Sequence, residues 1–383
     1  MSLKSLLQKM AFLLERKPDS VFFTDVKMQL DYVGRFREPV DDIERSYFQY
    51  KCKMKLYGTV MSVLLNIASF PLTCYYLLKI KRASDAPPPK AGCAVFFRDG
   101  KPANILPECV RKQYPDIIDT PETGEELTKA DRLFIRELIR RYPFAWHFAL
   151  KVLLKIALYR SVIGKYAPSA LIGCCEYSFT SSAMTEFCRR QGIKLINVMH
   201  GEKLLYMREA FFHFDECYVW SSEYVNLFET LRAEKSQFHI AVPPSLLFSK
   251  QGNTKQEFDY TYYLAAEDDQ VLQKIAELLR RLADKGCKIA VRPHPRYSVM
   301  SSVEKYFSGF EIEDFRKLTI EDSVLRTRNA VSLYSTVLNQ AYHNGVDIVI
   351  DDISNRKYYE RLVELRYSLL AAKHRLLSEI LAC

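Results

Sequence analysis

Hydrophobic and polar positions change their periodicity near residue 90, and this change divides the chain into two parts. Before residue 90, apolar residues recur at three- and four-residue spacing in 3–14 and 45–56, which predicts amphipathic helices. From residue 91 onward, short apolar runs alternate with longer amphipathic segments. Alternating strands and helices are typical of α/β domains built on a parallel, doubly wound sheet.

The strands and helices of the second part follow from this pattern. Predicted strands cover 94–97, 170–174, 193–198, 217–220, 260–264, 288–292, 330–334 and 347–350. Predicted helices cover 131–141, 146–160, 181–191, 223–232, 269–285 and 336–343, and a long final helix covers 355–382. Pro243 and Pro244 interrupt the alternation, so we expect a hinge between two similar Rossmann-like halves. The predicted regions are a helical segment over 1–90, Rossmann-like domains over 91–242 and 243–354, and a C-terminal helix over 355–383.

The 383-residue chain carries a formal net charge of +9, and most of this charge is local. Residues 1–82 hold 14 Lys and Arg against 8 Asp and Glu, and residues 45–84 hold seven basic residues and no acidic one. We therefore expect residues 1–82 to contact an anionic membrane surface. No nucleic-acid partner is expected, because the chain has no zinc-finger spacing and no aromatic RNA-binding motif.

Residues 59–78 form a mostly apolar run flanked by lysines, about as long as the roughly 20 residues that cross a bilayer. Asn66 and Pro71 interrupt the run, and basic residues on both sides give no orientation. We expect a buried or interfacial helical hairpin bent at Pro71, with a transmembrane helix as the alternative. The basic side of the 146–160 helix predicts a second membrane-facing surface, formed by Lys151, Lys155 and Arg160.

The ten cysteines are expected to be reduced thiols. The first 20 residues carry charges every few positions and lack the pattern of a secretory signal, and no cysteine pair has CxxC spacing. We expect a cytoplasmic protein that is peripheral on the inner face of the cytoplasmic membrane, and no metal site.

Three segments with chemically active side chains follow predicted strands of the second half, where open α/β sheets bind ligands. The first is Ala-Ala-Glu-Asp-Asp-Gln over 265–270, at a strand-to-helix junction. Its carboxylates can cap the following helix, or one of them can act as a general base.

The second segment is Arg-Pro-His-Pro-Arg over 292–296. Pro293 and Pro295 fix the backbone on either side of His294, so that the imidazole projects from a rigid turn. Arg292 and Arg296 supply two guanidinium groups beside it. Two arginines and a histidine are suited to binding a phosphate and its departing oxygen.

The third segment is Ser-Leu-Tyr-Ser-Thr over 332–336, a strand end that leads into a helix. Ser335 and Thr336 can cap that helix, and the same free N–H groups can hold a phosphate oxygen. With the histidine segment 41 residues earlier, a nucleotide-phosphate site is the favoured interpretation.

An acidic group, then a His-Pro, then a Ser/Thr pair, in this order and spacing, resembles bacterial sialyltransferases and polysialyltransferases. Those families carry D/E-D/E-G, HP and S-S/T motifs on a GT-B fold of two Rossmann-like domains. The resemblance covers about residues 260–350, and Gln270 stands where those families have glycine. It implies Asp268 as the base on the acceptor hydroxyl, with Glu267 and Asp269 as alternates, and His294 at the phosphate of a CMP-linked donor. It also implies that the His-Pro motif with Pro295 and the pair Ser335 and Thr336 bind the nucleotide. Arg292 and Arg296, which flank His294, complete the expected nucleotide site.

The first half contributes Asn-Val-Met-His-Gly-Glu-Lys over 197–203, after a predicted strand. This His200–Gly201 element is similar to that of capsule Kdo transferases and CDP-glycerol-type transferases, which widens the possible donors. Glu176 lies in a polar loop after another strand and is a candidate, with His200 and Gly201, for the acceptor side of a cleft. A structural turn is the alternative for both segments.

Together these resemblances imply an inverting glycosyltransferase that needs no metal and no cofactor. Its nucleotide-sugar donor would be a CMP-linked acidic sugar, a sialic acid or a related 2-keto sugar. Its acceptor would be a glycan or a lipid-linked molecule. The product would be a bacterial surface polysaccharide such as capsule, O-antigen or lipooligosaccharide. The alternatives are transfer of nucleotide-activated glycerol phosphate or another sugar, and a non-catalytic assembly or membrane-adaptor protein.

Overall fold

The computed structural model describes residues 21–84, 87–249 and 256–382. The helix predicted over 3–14 lies outside these residues. The chain divides into two units. Unit 1 holds the described residues up to His200 together with Leu205–Ala241, and unit 2 holds Gly201–Leu204 and the residues from Val242 onward.

Unit 1 begins with three helices: α1 (Val26–Gly34), α2 (Asp42–Tyr57) and α3 (Thr59–Lys79). Its other helices are α4 (Glu108–Gln113), α5 (Lys129–Arg141), α6 (Trp146–Tyr166), α7 (Ser181–Arg189) and α8 (Ser222–Thr230). Two short strands, β1 (Lys81–Arg82) and β4 (Glu126–Leu127), pair with each other. The six strands of the main sheet are β2 (Lys90–Phe96), β3 (Asp116–Asp119), β5 (Pro168–Gly173), β6 (Lys194–Val198), β7 (Glu216–Val219) and β8 (Phe238–Ile240).

The main sheet of unit 1 is parallel, with strand order β3-β2-β5-β6-β7-β8. Its central strands are buried on both faces, as the continuous apolar run in Ala170–Ile172 requires. The order reverses between β2 and β5, which is the arrangement of a doubly wound sheet.

The hairpin predicted within 59–78 is wrong, because α3 is one continuous helix with Pro71 inside it. The chain turns at Gly58, between α2 and α3, where φ is +82°. Glycine adopts this backbone conformation without the steric cost that a side chain would bring. Among the described residues, α3 is the one helix long and apolar enough to cross a membrane.

The second membrane-facing surface predicted on α6 is also wrong. This helix is largely buried, and twelve of its residues lie in the interior of unit 1. The guanidinium of Arg160 is buried too, where it donates two hydrogen bonds to Asp131 on α5, at 2.8 and 2.7 Å. A buried arginine that is fully paired is part of the core and offers no charge to a membrane.

Unit 2 contains a second six-stranded sheet. Its strands are β9 (Phe258–Tyr263), β10 (Ile289–Arg292), β11 (Glu311–Ile312), β12 (Thr327–Ser332), β13 (Asp347–Ile350) and β14 (Arg375–Leu376). Its helices are α9 (Asp269–Asp284), α10 (Met300–Phe307), α11 (Ile320–Leu325), α12 (Thr336–His343), α13 (Arg356–Glu364) and α14 (Leu377–Ala382). All pairs are parallel, in the order β11-β10-β9-β12-β13-β14.

The amphipathic helix α9 shows how unit 2 forms its core. Leu272, Ile275, Leu279 and Leu282 recur at three- and four-residue spacing and pack, buried, in one cluster with Tyr262 and Val291 of the sheet. Burying a leucine or isoleucine side chain stabilises the folded state by about 1.5–3 kcal/mol. Each unit thus holds a six-stranded parallel sheet in which the strand order reverses once. The predicted pair of Rossmann-like, doubly wound sheets is confirmed, with a helical N-terminal extension.

The long helix predicted over 355–382 is wrong. The chain forms α13, then an irregular stretch, then β14 and α14. Arg366 takes a positive φ of +56°, which ends the helical path after α13. The returning residues Arg375–Leu376 add an edge strand beside β13, so this segment completes the sheet of unit 2.

Candidate functional site

The three segments singled out in the sequence follow three neighbouring strands of unit 2. β9 lies at the centre of the sheet, between β10 and β12. The strands are in register, with Tyr263 opposite Arg292 and Tyr262 opposite Val331. Because the strands are parallel, their carboxyl ends meet at one edge. The strand order reverses between β9 and β12, which is where doubly wound sheets bind ligands.

The three adjacent carboxylates after β9 have different surroundings. Asp268 is exposed and is the N-cap of α9, where its side chain accepts a hydrogen bond from the N–H of Val271 at 2.9 Å. Asp269 is exposed in the first turn of that helix and accepts a hydrogen bond from the Tyr306 hydroxyl. The capping interpretation thus describes Asp268 well.

Glu267 is the carboxylate that points back toward the sheet. It is half-buried, and its two oxygens accept hydrogen bonds from the N–H of Ala265 at 2.9 and 2.7 Å. Burial raises the pKa of Glu267, the nearby carboxylate of Asp351 raises it further, and the backbone hydrogen bonds oppose the shift. A carboxylate with a raised pKa has the greater affinity for a proton, as a general base requires.

Asp351 and Asp352 directly follow strand β13, which pairs with β12. Asp351 is fully buried and accepts hydrogen bonds from the Tyr262 hydroxyl at 2.7 Å and from the N–H groups of Ile353 and Ser354. Asp352 is buried and accepts from the N–H of Ser378. Both carboxylates therefore have structural partners, and Asp351 lies close enough to Glu267 to act on its pKa.

His294 projects from the turn after β10. Its backbone N–H donates to the Ser298 hydroxyl at 2.8 Å, and its ring stacks on Tyr297 with centroids 4.5 Å apart. The ring atom Nδ1 accepts a hydrogen bond from the N–H of Arg296 at 3.1 Å. Since Nδ1 is the acceptor, the proton of the neutral ring is on Nε2. Partial burial lowers the pKa of His294, and the charge of Arg296 lowers it further.

The two arginines of this turn differ. Arg292 is 7% exposed, and its guanidinium donates to Glu313 at 3.1 Å and to the carbonyl of Leu318 at 2.8 Å. These bonds use the guanidinium inside the protein, whereas the prediction placed it on a phosphate. Arg296 is exposed, as is Pro295. Arg296 is therefore the guanidinium that this turn presents to solvent.

The turn after β12 leads into α12. Ser335 is the N-cap, and its hydroxyl accepts a hydrogen bond from the N–H of Val337 at 3.3 Å. Thr336 is the first residue of the helix and is exposed. The first N–H groups of a helix carry a partial positive charge, which favours an anion at this end.

Side chains that the sequence did not single out surround this turn. Tyr334 contacts the rings of Tyr358 and Tyr367, with centroids 6.3 and 5.3 Å apart. Burial raises the pKa of Tyr367 well above its ordinary value, and nearby Glu202 adds to the shift. Aromatic spacing in 334–367 has no period that indicates this cluster, because its members come from separate elements.

Glu202 was part of the predicted His-Gly segment but was given no role. It belongs to unit 2, where its carboxylate accepts hydrogen bonds from the Asn339 amide at 2.6 Å and the Ser368 hydroxyl at 3.0 Å. Its position two residues after His200 was the available signal in the sequence. Gly201 has a φ of +74°, which lets the chain turn between them.

The other first-half residues lie at the carboxyl ends of strands in unit 1. His200 follows β6, and Glu176 follows β5. Glu176 is 1% exposed, and its carboxylate accepts a hydrogen bond from the Asn197 amide at 3.2 Å. The backbone carbonyl of Glu176 accepts from the Gln49 amide at 2.8 Å. The acceptor-side role of Glu176, His200 and Gly201 stays a prediction.

Several solved structures resemble this chain in part. The wall teichoic acid polymerase TagF is 12% identical, with a TM-score of 0.41 over 87% of this chain and 87% of that one. The S. aureus MnaA–UDP complex is 8% identical, with a TM-score of 0.41 over 71% of this chain and 79% of that one. The lipopolysaccharide outer core galactosyltransferase WaaB is 9% identical, with a TM-score of 0.39 over 68% and 80%.

No model of a protein family matches this sequence, and neither does any curated protein. At the identities and TM-scores of the solved structures, the similarity assigns no activity to this chain.

Proposed function

We propose that the protein is an inverting glycosyltransferase of the GT-B type that transfers a CMP-activated acidic sugar, a sialic acid or related 2-keto sugar, in the synthesis of a bacterial surface polysaccharide. The observation that carries the proposal is the juxtaposition of three different groups at one sheet edge. They are a carboxylate with a raised pKa at Glu267, a neutral imidazole at His294, and a helix N-terminus with hydroxyls at Ser335 and Thr336.

Glu267 takes the role of the base in this mechanism, in preference to Asp268. Its carboxylate removes the proton from the acceptor hydroxyl as that oxygen attacks the anomeric carbon of the donor. Asp268 serves as the cap of α9, where its hydrogen bond to Val271 holds the start of the helix. The proton ends on Glu267, and the new glycosidic bond forms on the face opposite the leaving group.

His294 and the helix α12 stabilise the nucleotide as it departs. The bond between the anomeric carbon and the phosphate oxygen breaks, and its electron pair moves onto that oxygen. The Nε2–H of His294 donates a hydrogen bond to this developing charge, and Arg296 adds an exposed positive group. The N–H groups at the start of α12, with the hydroxyls of Ser335 and Thr336, hold the remaining phosphate oxygens. These groups supply the positive charge, so the proposal requires no metal.

The donor is tested first by nucleotide binding, because binding needs no knowledge of the acceptor. Thermal unfolding of the full chain is measured with CMP, CDP, UDP and GMP. A nucleotide at about 100 times its dissociation constant adds about 2.7 kcal/mol to the free energy of unfolding. We expect CMP to stabilise most. CMP would also leave a CDP-linked glycerol when glycerol phosphate is transferred, so release from CMP- and CDP-linked donors separates these two reactions. Stabilisation by CDP or UDP alone would favour transfer of another sugar, and no stabilisation by any of them would favour a non-catalytic assembly protein.

Transfer is then measured by release of nucleotide from CMP-, CDP- and UDP-linked donors with a mixture of glycan and lipid-linked acceptors. His294→Ala and Glu267→Gln are expected to reduce release strongly, while Lys274→Gln on the exposed side of α9 serves as the matched control. Release that is unchanged in both site variants would contradict the catalytic assignment.

A further inference from the structure

Helix α3 has two opposite faces with different surroundings. One face is buried over the middle of the helix and part of its second half, at Leu65, Ser69, Thr73 and Tyr76. The other face is a stripe of exposed apolar residues at three- and four-residue spacing, namely Val60, Val63, Leu64, Ile67, Phe70 and Leu78. Ile67 is 66% exposed and Leu78 is 85% exposed. A contiguous exposed apolar patch of this kind marks an interaction surface, so the stripe calls for an apolar partner.

The stripe continues into a groove that also carries positive charge. The groove has a volume of about 680 Å³ and lies beside Val63, Ile67, Phe70, Phe144 and Trp146. Phe144 is 87% exposed. Lys51 and Lys55 line the same groove, and both are exposed. Exposed lysines beside exposed aromatic and aliphatic groups match the boundary between the phosphates and the acyl chains of a membrane.

Basic residues stand at both ends of the stripe. Lys51 and Lys55 lie near its start, and Lys79, Lys81 and Arg82 lie near its end, all of them exposed. No acidic residue occurs between 45 and 84. Asp31 on α1 shares a neighbouring cavity with Lys55, but the stripe itself carries no carboxylate. The charge pattern is complementary to an anionic bilayer on both sides of the apolar face.

The contacts of the buried face fix how such a helix can meet a bilayer. The Ser69 hydroxyl and the His147 ring atom Nδ1 form a hydrogen bond at 3.1 Å. The Asn66 side-chain oxygen accepts a hydrogen bond from the backbone N–H of His147, also at 3.1 Å. Arg132 donates to the carbonyls of Leu77 and Ile80 at the other end. A helix that crossed the bilayer would have to break these bonds, whereas a helix in the membrane plane keeps all of them.

We propose that the α3 stripe, with Phe144, is a membrane-docking surface that lies in the plane of an anionic phospholipid bilayer. The apolar stripe enters the boundary of the acyl chains, and the lysines and Arg82 contact the phosphates. The helix does not span the bilayer. The proposal is independent of transfer chemistry, since it concerns only unit 1 and a lipid surface.

The full chain is tested by sedimentation with vesicles of phosphatidylcholine alone and with about one third phosphatidylglycerol. We expect binding to the anionic vesicles only. Val63→Asp is expected to weaken it about tenfold or more, because an aspartate side chain is costly at an apolar membrane boundary. Val363→Asp is the matched control, since Val363 on α13 is also 51% exposed. Equal loss in both variants, or none in either, would overturn the proposal.

Charge reversal tests the basic rim separately. A double variant, Lys51→Glu with Lys55→Glu, is expected to weaken binding to anionic vesicles about tenfold, and more at low salt than at high salt. Reversing the charge of Lys274 and Lys288 in unit 2 gives the same change of net charge and is expected to leave binding intact. Circular dichroism and thermal unfolding confirm that each variant is folded.

Three further measurements separate the possible occupants of the stripe. The ring of Trp146 lies against that of Phe70, with centroids 4.7 Å apart. Brominated phospholipids should therefore quench the fluorescence of Trp146 in the wild type and not in Val63→Asp. Protein bound to cell membranes should be released by alkaline carbonate. Retention after carbonate would show a spanning helix and overturn the proposal. The oligomeric state is measured without lipid. A dimer that forms in the wild type and not in Val63→Asp would show that a second copy covers the stripe, and it would overturn the proposal too.

Discussion

The backbone N–H of Arg296 donates a hydrogen bond to the Nδ1 atom of His294, at 3.1 Å, across the turn that follows β10. This bond fixes which ring nitrogen carries the proton. It leaves Nε2–H as the donor that the turn can offer to a ligand. Nitrogen-15 NMR of the imidazole should therefore show the Nε2–H tautomer at neutral pH. A ring protonated on Nδ1 would contradict the role given to His294.

His294 also links stability to pH. Its pKa is lowered from the ordinary value of 6.5 by partial burial and by Arg296. The unfolded chain thus binds a proton more readily than the folded one, so stability falls as pH drops below about 6.5 and stops falling once the folded pKa is passed. We expect thermal unfolding to show a shallower decline in His294→Gln. In the NMR titration, Arg296→Gln should raise the pKa of His294.

Glu267 and Asp268 are neighbours with separable roles. Glu267→Gln removes the proposed base and is expected to reduce nucleotide release about 10²- to 10⁴-fold, with little change in donor binding. Asp268→Asn keeps a good N-cap and should leave both activity and stability near the wild type. Asp268→Ala should cost about 1 kcal/mol of stability because the cap is lost. Loss of release in Asp268→Asn, with Glu267→Gln still active, would reverse the assignment.

Substitutions of Arg292 and Arg296 are expected to affect different properties, stability in the first case and nucleotide binding in the second. Arg292→Gln leaves Glu313 buried without its charged partner and should cost about 3–5 kcal/mol of unfolding free energy. Replacing both, by Met at 292 and Leu at 313, should recover much of that loss. Arg296→Gln lies on the surface and should change stability by less than about 0.5 kcal/mol while weakening CMP binding. Chemical denaturation and calorimetric titration measure the two effects.

Ser335 and Thr336 form the next testable pair. Ser335→Ala removes the cap of α12 and should cost about 1 kcal/mol of stability as well as nucleotide affinity. Thr336→Val removes an exposed hydroxyl of similar size and is expected to lower affinity alone. Equal CMP affinity in the wild type and in both variants would show that the phosphate does not bind at this turn.

Strand–helix alternation was readable from the sequence because it depends on local periodicity. Helix α12 was predicted at its observed bounds, since Ser335 begins it and apolar residues follow at helical spacing. The edge strand β3 was missed because its four residues begin and end with aspartate and carry little apolar signal. Helix α3 was expected to bend at Pro71. The helix continues there, with the Thr73 hydroxyl bonded to the Ser69 carbonyl in the same turn.

The roles within the candidate site depended on distant partners. Nothing near Arg292 in the sequence indicates that it pairs with Glu313. Arg292 ends β10 and Glu313 follows β11, so the two meet only when these strands pair in the fold. Burial likewise distinguishes Glu267 from the exposed Asp268 and Asp269, and burial of one carboxylate among three has no sequence signature. The segments were therefore predictable, while the division of work among their side chains was not.

Unit 2 is discontinuous in the chain, because Gly201–Leu204 belongs to it while the residues on either side belong to unit 1. A fragment that starts at Val242 would carry all six strands of its sheet but not Glu202. The Asn339 amide and the Ser368 hydroxyl would then lose their shared acceptor beside α12. Such an excised domain is expected to bind nucleotide poorly even if it folds. The segment that supplies Glu202 is made before the rest of unit 2, so a ribosome must synthesise nearly the whole chain before this part of the site can close.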